Sequence, residues 1–207
     1  MNANLKCLSL ATVLGISLFN SIGTSKAEAT EVKTSLPIEA KALSQNEIEA
    51  KKAEIATHIK IFDENNKEIH PYTTEELKSM IRLAEEQPGD NPLGILKKSY
   101  SSGYFDFSSN IWLGGGPGRY GKNFKDPKTL IIAYKGTAKA FAVAAYYDNG
   151  KGGPAGQAKK VSIPGGWKGE FHMNWNLKKG KSYRFKFTNE AGFDKVITIK
   201  KATLWYN

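Results

Sequence analysis

From Leu93 onward, the chain consists of short apolar or alternating runs interrupted by glycine, proline, asparagine and aspartate. This pattern is typical of β-strands separated by turns. We expect strands at 103–107, 110–113, 129–135, 139–147, 158–163, 169–175, 182–188, 195–200 and 202–206. Short strands with such regular turns predict a mainly β fold. The expected architecture is an antiparallel β-sandwich, with a barrel-like arrangement as the alternative.

Three of these runs alternate clearly between large apolar and polar residues. The apolar positions of the three runs are Phe141, Val143, Ala145 and Tyr147; Phe171, Met173 and Trp175; and Tyr183, Phe185 and Phe187. Successive side chains of a strand point to opposite faces of the sheet. We therefore expect one buried face and one solvated face in each strand.

Two capping boxes predict a small helical region before these strands. Ser44 with Glu47, and Thr73 with Glu76, have the spacing in which a hydroxyl and a carboxylate cap the first helical turn reciprocally. We expect helices over 44–57 and 74–86.

Between the two helices, the sequence predicts a short hairpin. Residues 58–62 alternate, the following 63–66 are turn formers, and 67–72 provide a return strand. The segment 87–92, rich in proline, glycine, asparagine and aspartate, ends the second helix and indicates a domain boundary.

The first residues have the pattern of an export signal. Lys6 precedes the mostly apolar run 8–19, and the small-x-small sequence at 27–29 predicts cleavage after Ala29. The apolar run is shorter than the ~20 residues that span a bilayer, although an uncleaved anchor remains the alternative. The expected organisation is a signal peptide at 1–29, a helical and hairpin region at 30–92, and a β-sandwich domain at 93–207.

Cleavage at that site would remove Cys7, the only cysteine of the chain. The mature protein would then have no disulfide, in contrast to many secreted animal proteins. A cysteine-free exported protein fits a bacterial route, with a secreted or wall-associated location. We expect no integral membrane protein after cleavage.

The chain has a formal net charge of +10, and the charge is distributed unevenly. Residues 30–121 contain 11 basic and 14 acidic side chains, whereas residues 122–207 contain 17 basic and 5 acidic ones. The basic portion favours an anionic partner outside the cell: a cell-wall polymer, an acidic polysaccharide or acidic lipid headgroups. No specific nucleic-acid motif is present, and solubility alone would also explain a high charge.

The candidate ligand-binding residues are aromatic and basic. The glycine-rich segment 112–124 is predicted to be a binding loop, and Trp167 is expected to be partly exposed because it follows the turn 164–166. The candidates are Trp112, Arg119, Tyr120, Trp167, Lys168, Lys178, Lys179, Lys181, Arg184 and Lys186, with Lys159 and Lys160 as further basic residues on the solvated faces.

The same loop contains the string G-x-G-x-x-G at Gly116, Gly118 and Gly121. Dinucleotide binding needs a strand before this string and a helix after it. Residues 122–128 contain Pro127 and no helical apolar stripe, so the sequence predicts no cofactor. The segment 112–124 is either a binding loop or a plain connection between strands.

Catalytic signals are weak. Glu170 and His172 share one strand face, and a carboxylate beside an imidazole can transfer protons, so they are the candidate catalytic pair. No close metal-ligand spacing is found among the histidines. The sequence favours a non-catalytic binding protein. The alternatives are a secreted hydrolase of wall or polysaccharide and a secreted antibacterial or toxin-like protein that acts on membranes.

Overall fold

The computed structural model describes residues 43–86, 98–116 and 118–207, and it contains two antiparallel β-sheets packed face to face. The predicted mainly β, sandwich-like fold with a short preceding helix is confirmed. The predicted signal peptide and the predicted boundary at 92/93 lie outside the described residues.

The described residues form two helices and thirteen strands. The helices are α1 (Gln45–Thr57) and α2 (Thr74–Ser79). The strands are β1 (Lys60–Phe62), β2 (Glu68–Ile69), β3 (Ile81–Leu83), β4 (Lys98–Ser101), β5 (Phe105–Phe107), β6 (Asn110–Trp112), β7 (Phe124–Lys125), β8 (Thr129–Tyr134), β9 (Phe141–Asp148), β10 (Pro154–Ile163), β11 (Gly169–Asn174), β12 (Ser182–Asn189) and β13 (Ile197–Tyr206).

The first sheet has the strand order β2-β1-β10-β9-β12-β6, and β7 also pairs with β12. The second sheet has the order β3-β11-β8-β13-β4, and β5 also pairs with β13. The predicted hairpin is confirmed as β1 and β2. These two strands extend the first sheet, and β3 extends the second, so the chain before residue 87 contributes strands to both layers.

The core lies between the two sheets and consists of the alternating apolar residues. Phe185 and Phe187 of β12, Phe171 of β11 and Leu204 of β13 are fully buried. Phe187 packs against Phe141 of β9 in a stacked pair with ring centroids 6.0 Å apart. Aromatic residues at alternate positions therefore fill the interior, as the sequence predicted for these strands.

The first predicted helix is confirmed, with the capping box that its sequence indicated. The Ser44 hydroxyl accepts a hydrogen bond from the Glu47 amide, and the Glu47 carboxylate accepts one from the Ser44 amide at 2.7 Å. Lys52 of α1 forms an ion pair with Glu86 at 3.1 Å. The buried Ile48 and Ile55 join the core, so α1 packs on the sandwich.

The second predicted helix is too long. It begins at Thr74, as its capping box indicated, but ends at Ser79, and Ile81–Leu83 forms β3. Both Ile81 and Leu83 are buried, and β3 pairs with β11. Residues 81–83 fit both the apolar stripe of a helix and the alternation of a strand. The pairing of β3 with β11, which is distant in sequence, favours the strand.

The two strands predicted at 195–200 and 202–206 are a single strand, β13. Its pairing with β8 shifts register between Ile199 and Lys201, so the lysines that resemble a break form a bulge. A bulge adds one unpaired residue without ending the strand. Strands β4 and β7 were not predicted, since both are short and largely polar.

Candidate functional site

A row of directly opposed residues crosses the outer face of the first sheet. Beside the edge strand β2, whose Glu68 lies opposite Phe62, the strand register continues through Phe62, Lys160, Ala144, Lys186 and Trp112. Four steps between neighbouring strands separate the backbones of Phe62 and Trp112 by about 19 Å, at roughly 4.8 Å a step. The row therefore spans five strands and has an aromatic residue at each end.

Each lysine of the row lies over the ring beside it. The Lys160 ammonium is 4.1 Å from the centroid of Phe62, and the Lys186 ammonium is 5.9 Å from that of Trp112. Ala144, between them, is only 4% exposed. The side chains around it therefore cover this small residue, and cation–π attraction keeps each ammonium near its ring. We call this row the basic aromatic face.

A cleft of about 370 Å³ adjoins the Trp112 end of this face, and Arg119 and Tyr120 line it together with Asn110. The rings of Trp112 and Tyr120 meet edge to face with centroids 5.5 Å apart. Tyr146 packs on the other side of Trp112 at 5.2 Å. The structure thus brings Trp112, Arg119, Tyr120 and Lys186, all sequence candidates, to one place.

The glycine-rich loop that carries Tyr120 is tied to the sheet through Arg184. The guanidinium donates to the carbonyl oxygens of Tyr120, at 3.2 Å, and of Gly121. It also pairs with Asp148 at 2.6 Å. We expected Arg184 to offer its charge to a ligand, but the loop covers it and leaves it 6% exposed. Its role is to position the loop.

Asp148 is the buried partner in this arrangement. Burial raises the pKa of its carboxyl, but hydrogen bonds from Arg184 and Asn123 outweigh that effect, and the net result is a lowered pKa. The Asn123 amide donates to the second carboxylate oxygen at 3.2 Å. The carboxylate is therefore held in its charged form, which keeps the loop in place.

The loop closes on itself at Gly121. The Lys122 amide donates to the Leu113 carbonyl at 3.0 Å, and a Cβ added to Gly121 would overlap that same carbonyl oxygen. Only glycine permits this approach. The last glycine of the G-x-G-x-x-G string is thus required by a tight loop closure.

Replacing Gly121 by alanine is expected to push the loop off the sheet and to lower the free energy of unfolding by about 1–2 kcal/mol. The separation of Tyr120 from Trp112 should be visible as a changed chemical shift of the Trp112 indole. Gly116→Ala is the matched control, because nothing lies within 4 Å of a Cβ at that position. Equal effects from the two variants would contradict this view of the loop.

The expected exposure of Trp167 is wrong. Its ring is 1% exposed and packs against Tyr134 with centroids 4.8 Å apart. Its indole N–H donates to the Pro164 carbonyl at 2.8 Å. The preceding turn folds back over the ring, so Trp167 belongs to the core. Lys168 follows it at the edge of the second sheet, away from the basic aromatic face.

The remaining candidate lysines are not gathered on this face. Lys178, Lys179 and Lys181 lie in the connection between β11 and β12. Lys178 is 3.8 Å from the Glu64 carboxylate, and its contact with the Tyr147 hydroxyl raises its pKa. These lysines therefore form a separate group at one end of the sandwich.

Lys159 is turned away from the basic aromatic face as well. Its ammonium donates to the Trp175 carbonyl at 2.9 Å, and burial lowers its pKa. Neighbouring strand residues point to opposite faces, and Lys160 occupies the outer one.

Glu170 and His172 do form a hydrogen-bonded pair, at 2.9 Å, on the outer face of the second sheet. The residues opposite them on β8 are Ala133 and Ile131, which offer no nucleophile. Glu170 lines a cleft of about 440 Å³ with Lys168, and His172 does not line it. On its other side, Glu170 lies opposite Arg82 of β3.

Sequence reasoning missed Phe62 and Tyr146. Alternation over 58–62 was visible and places Phe62 opposite to the buried Ile61, but the pairing of Phe62 with Lys160 joins distant parts of the chain. Tyr146 has a clearer signal, since it alternates with the buried Ala145.

Within the described parts of the chain, no helix is long and apolar enough to cross a membrane. Those same residues contain no group of three or more histidine, cysteine, aspartate or glutamate side chains placed to hold a metal ion. Comparison with known proteins gives no match: no family model, no curated protein and no solved structure matches the chain.

Proposed function

We propose that the protein is a secreted bacterial, non-catalytic binding protein that docks on an anionic cell-surface polysaccharide. The binding surface is the basic aromatic face with the adjoining cleft. The export signal predicted from the sequence supports the location. The uneven charge of the chain supports an anionic partner.

The observation that carries this proposal is the convergence of rings and cations in a line. Lys160 and Lys186 stand on either side of the buried Ala144, and Phe62 and Trp112 end the row. Among the described residues, neither lysine has a carboxylate within ion-pair distance. Both ammonium groups are therefore available to anionic groups of a ligand.

The shape favours an extended polymer over a lipid surface. The rings of Phe62 and Trp112 are half-buried and lie against lysines instead of projecting outward. Insertion into a bilayer needs apolar side chains that project from the surface. A chain of sugars can lie along the row, perpendicular to the strands, with ring contacts at its ends and cations in the middle.

Binding to polygalacturonate at low salt is expected to weaken about tenfold in Lys160→Gln/Lys186→Gln, which corresponds to roughly 1.4 kcal/mol from two charges at the surface. Trp112→Ala is expected to weaken it by a similar factor. Affinity is measured by isothermal titration calorimetry across a salt series, since exposed charges are screened over about 8 Å at physiological ionic strength.

Lys135→Gln is the matched control. Its ammonium lies 4.8 Å from the Tyr104 ring, the same kind of contact, but it follows β8 in the second sheet. Wild-type affinity in both test variants, or the same loss in the control, would overturn the proposal. Preferential binding to anionic vesicles, with dye leakage, would favour the membrane-active alternative instead.

A further inference from the structure

A second cleft, of about 380 Å³, lies at the end of the sandwich where β11 finishes and β8 begins. It is separate from the basic aromatic face, and the proposed function does not use it. The residues that matter for its chemistry are Tyr72, Lys128, Thr129, Asn174, Asn176 and Lys179.

One wall of this cleft, the segment 174–176, is fixed at its centre. The Trp175 ring is buried in the core against Phe185, with centroids 5.0 Å apart. The Trp175 amide donates to the Lys128 carbonyl at 2.9 Å, and its carbonyl accepts from the Lys159 ammonium at 2.9 Å. Three independent contacts therefore hold the backbone between the two asparagines.

The flanking asparagines are positioned as well. The Thr129 hydroxyl, almost fully buried, donates to the side-chain oxygen of Asn174 at 2.7 Å, which leaves the Asn174 amide nitrogen as a donor. The Tyr72 hydroxyl donates to the Asn174 carbonyl at 2.7 Å. Asn176 adopts a left-handed φ of 43°, a conformation that asparagine tolerates better than most residues.

The cleft also carries positive charge that the protein does not neutralise. Among the described residues, Lys128 and Lys179 have no carboxylate within ion-pair distance. Glu76 also lines the cleft, where its carboxylate caps α2 by accepting from the Thr73 amide at 2.7 Å, so the two lysines still leave the lining with a net positive charge. The half-buried Leu177 adds apolar surface.

We propose that this end cleft binds a single sugar residue that carries a carboxylate. Amide groups in fixed positions suit the hydroxyls of a sugar, and the two lysines suit its carboxylate. The apolar surface of Leu177 suits the carbon face of the ring. A pocket of this size, with a few convergent polar groups, is within the range of small-molecule sites.

The test uses glucuronate and the purified full chain, followed by ¹⁵N–¹H NMR titration. Glucuronate is expected to shift the amide signals of residues 128–129 and 174–179. Asn176→Gly keeps a residue that readily adopts the left-handed backbone but removes the amide, and we expect affinity to fall about three- to tenfold for the lost hydrogen bond. Lys179→Gln is expected to lower the affinity for glucuronate and to leave any binding of glucose unchanged.

Lys168→Gln, a lysine outside the cleft, is the control for net charge, and acetate is the control for a carboxylate without a sugar. Trp112→Ala should bind glucuronate normally, so failure at the basic aromatic face and failure here are distinguishable. The proposal is overturned if glucuronate leaves these amide signals unmoved at millimolar concentration. It is also overturned if acetate or Lys168→Gln reproduces the effects.

Discussion

Replacing Trp167 by alanine is expected to lower the free energy of unfolding by about 3–5 kcal/mol, the range found when a buried aromatic side chain is removed. The ring is buried, lies edge to face with Tyr134, and donates its indole N–H to the Pro164 carbonyl. The variant loses these contacts and leaves a cavity next to the second sheet. Urea denaturation, with the midpoint and slope fitted together, measures the change.

Phe193→Ala is the control for loss of an aromatic ring, because the Phe193 side chain is 84% exposed. Its free energy of unfolding should change by no more than about 0.5 kcal/mol. The opposite result for Trp167→Ala, unchanged stability with weakened polysaccharide binding, would restore the ligand-binding role that its sequence context suggested.

Trp167 shows where local sequence information ends. A tryptophan after proline and two glycines is typical of an exposed turn, and nothing nearby in the chain indicates a neighbour. The neighbour is Tyr134 of β8, which is distant in sequence. Trp167 comes just before β11, and the two rings meet only because β11 pairs with β8. Burial of this kind depends on tertiary contacts.

Patterns that are complete within one segment were predicted well. The alternation of Tyr183, Phe185 and Phe187 needs only one strand and one buried face. The capping boxes at Ser44 and Thr73 close within four residues, and both helices begin where these boxes predicted. The end of α2 was not predicted, because the competing strand β3 exists only through its pairing with β11.

One part of the candidate site was predicted from local sequence, and the other part depends on tertiary contacts. The glycine-rich loop was recognised from its composition, and Trp112, Arg119 and Tyr120 do line one cleft. The row across the first sheet was not predicted, because it depends on the register of five strands from distant parts of the chain. Phe62 and Lys160, for example, are brought together only by the pairing of β1 with β10.

Net charge predicted a basic portion but not its arrangement. Lys160 and Lys186 lie on the basic aromatic face, whereas Lys178 and Lys179 lie at the end of the sandwich. Charge counts do not specify the face on which a strand residue lies, and a connection between strands has no alternating pattern to indicate it. Two separate clusters of cations result, which is why two binding sites are proposed.

Arg184→Met is expected to lower the free energy of unfolding by about 3 kcal/mol, because it leaves the Asp148 carboxylate without its charged partner. We take the lower end of the range for a broken buried pair, since the Asn123 amide still donates to that carboxylate. Lys186→Met, two residues along the same strand and on the same face, is the control for loss of a positive charge and should cost well under 1 kcal/mol. A loss in Arg184→Met no larger than in the control would show that the pair contributes nothing.

The stabilisation by the Arg184–Asp148 pair is expected to decrease at low pH. Asp148 has a lowered pKa in the folded protein, so its stabilising effect is present above the ordinary aspartate pKa of about 3.9. That effect is lost as the pH falls through the lowered value, because the unfolded chain binds the proton first. In Arg184→Met, the guanidinium is absent, so burial raises the pKa of the Asp148 carboxyl. A lower pH then protonates this carboxyl and removes the unpaired charge. The difference in unfolding free energy between wild type and variant should therefore narrow as the pH falls from 7 to 3. A constant difference over that range would mean that Arg184 stabilises the loop through the Tyr120 and Gly121 carbonyls and not through Asp148.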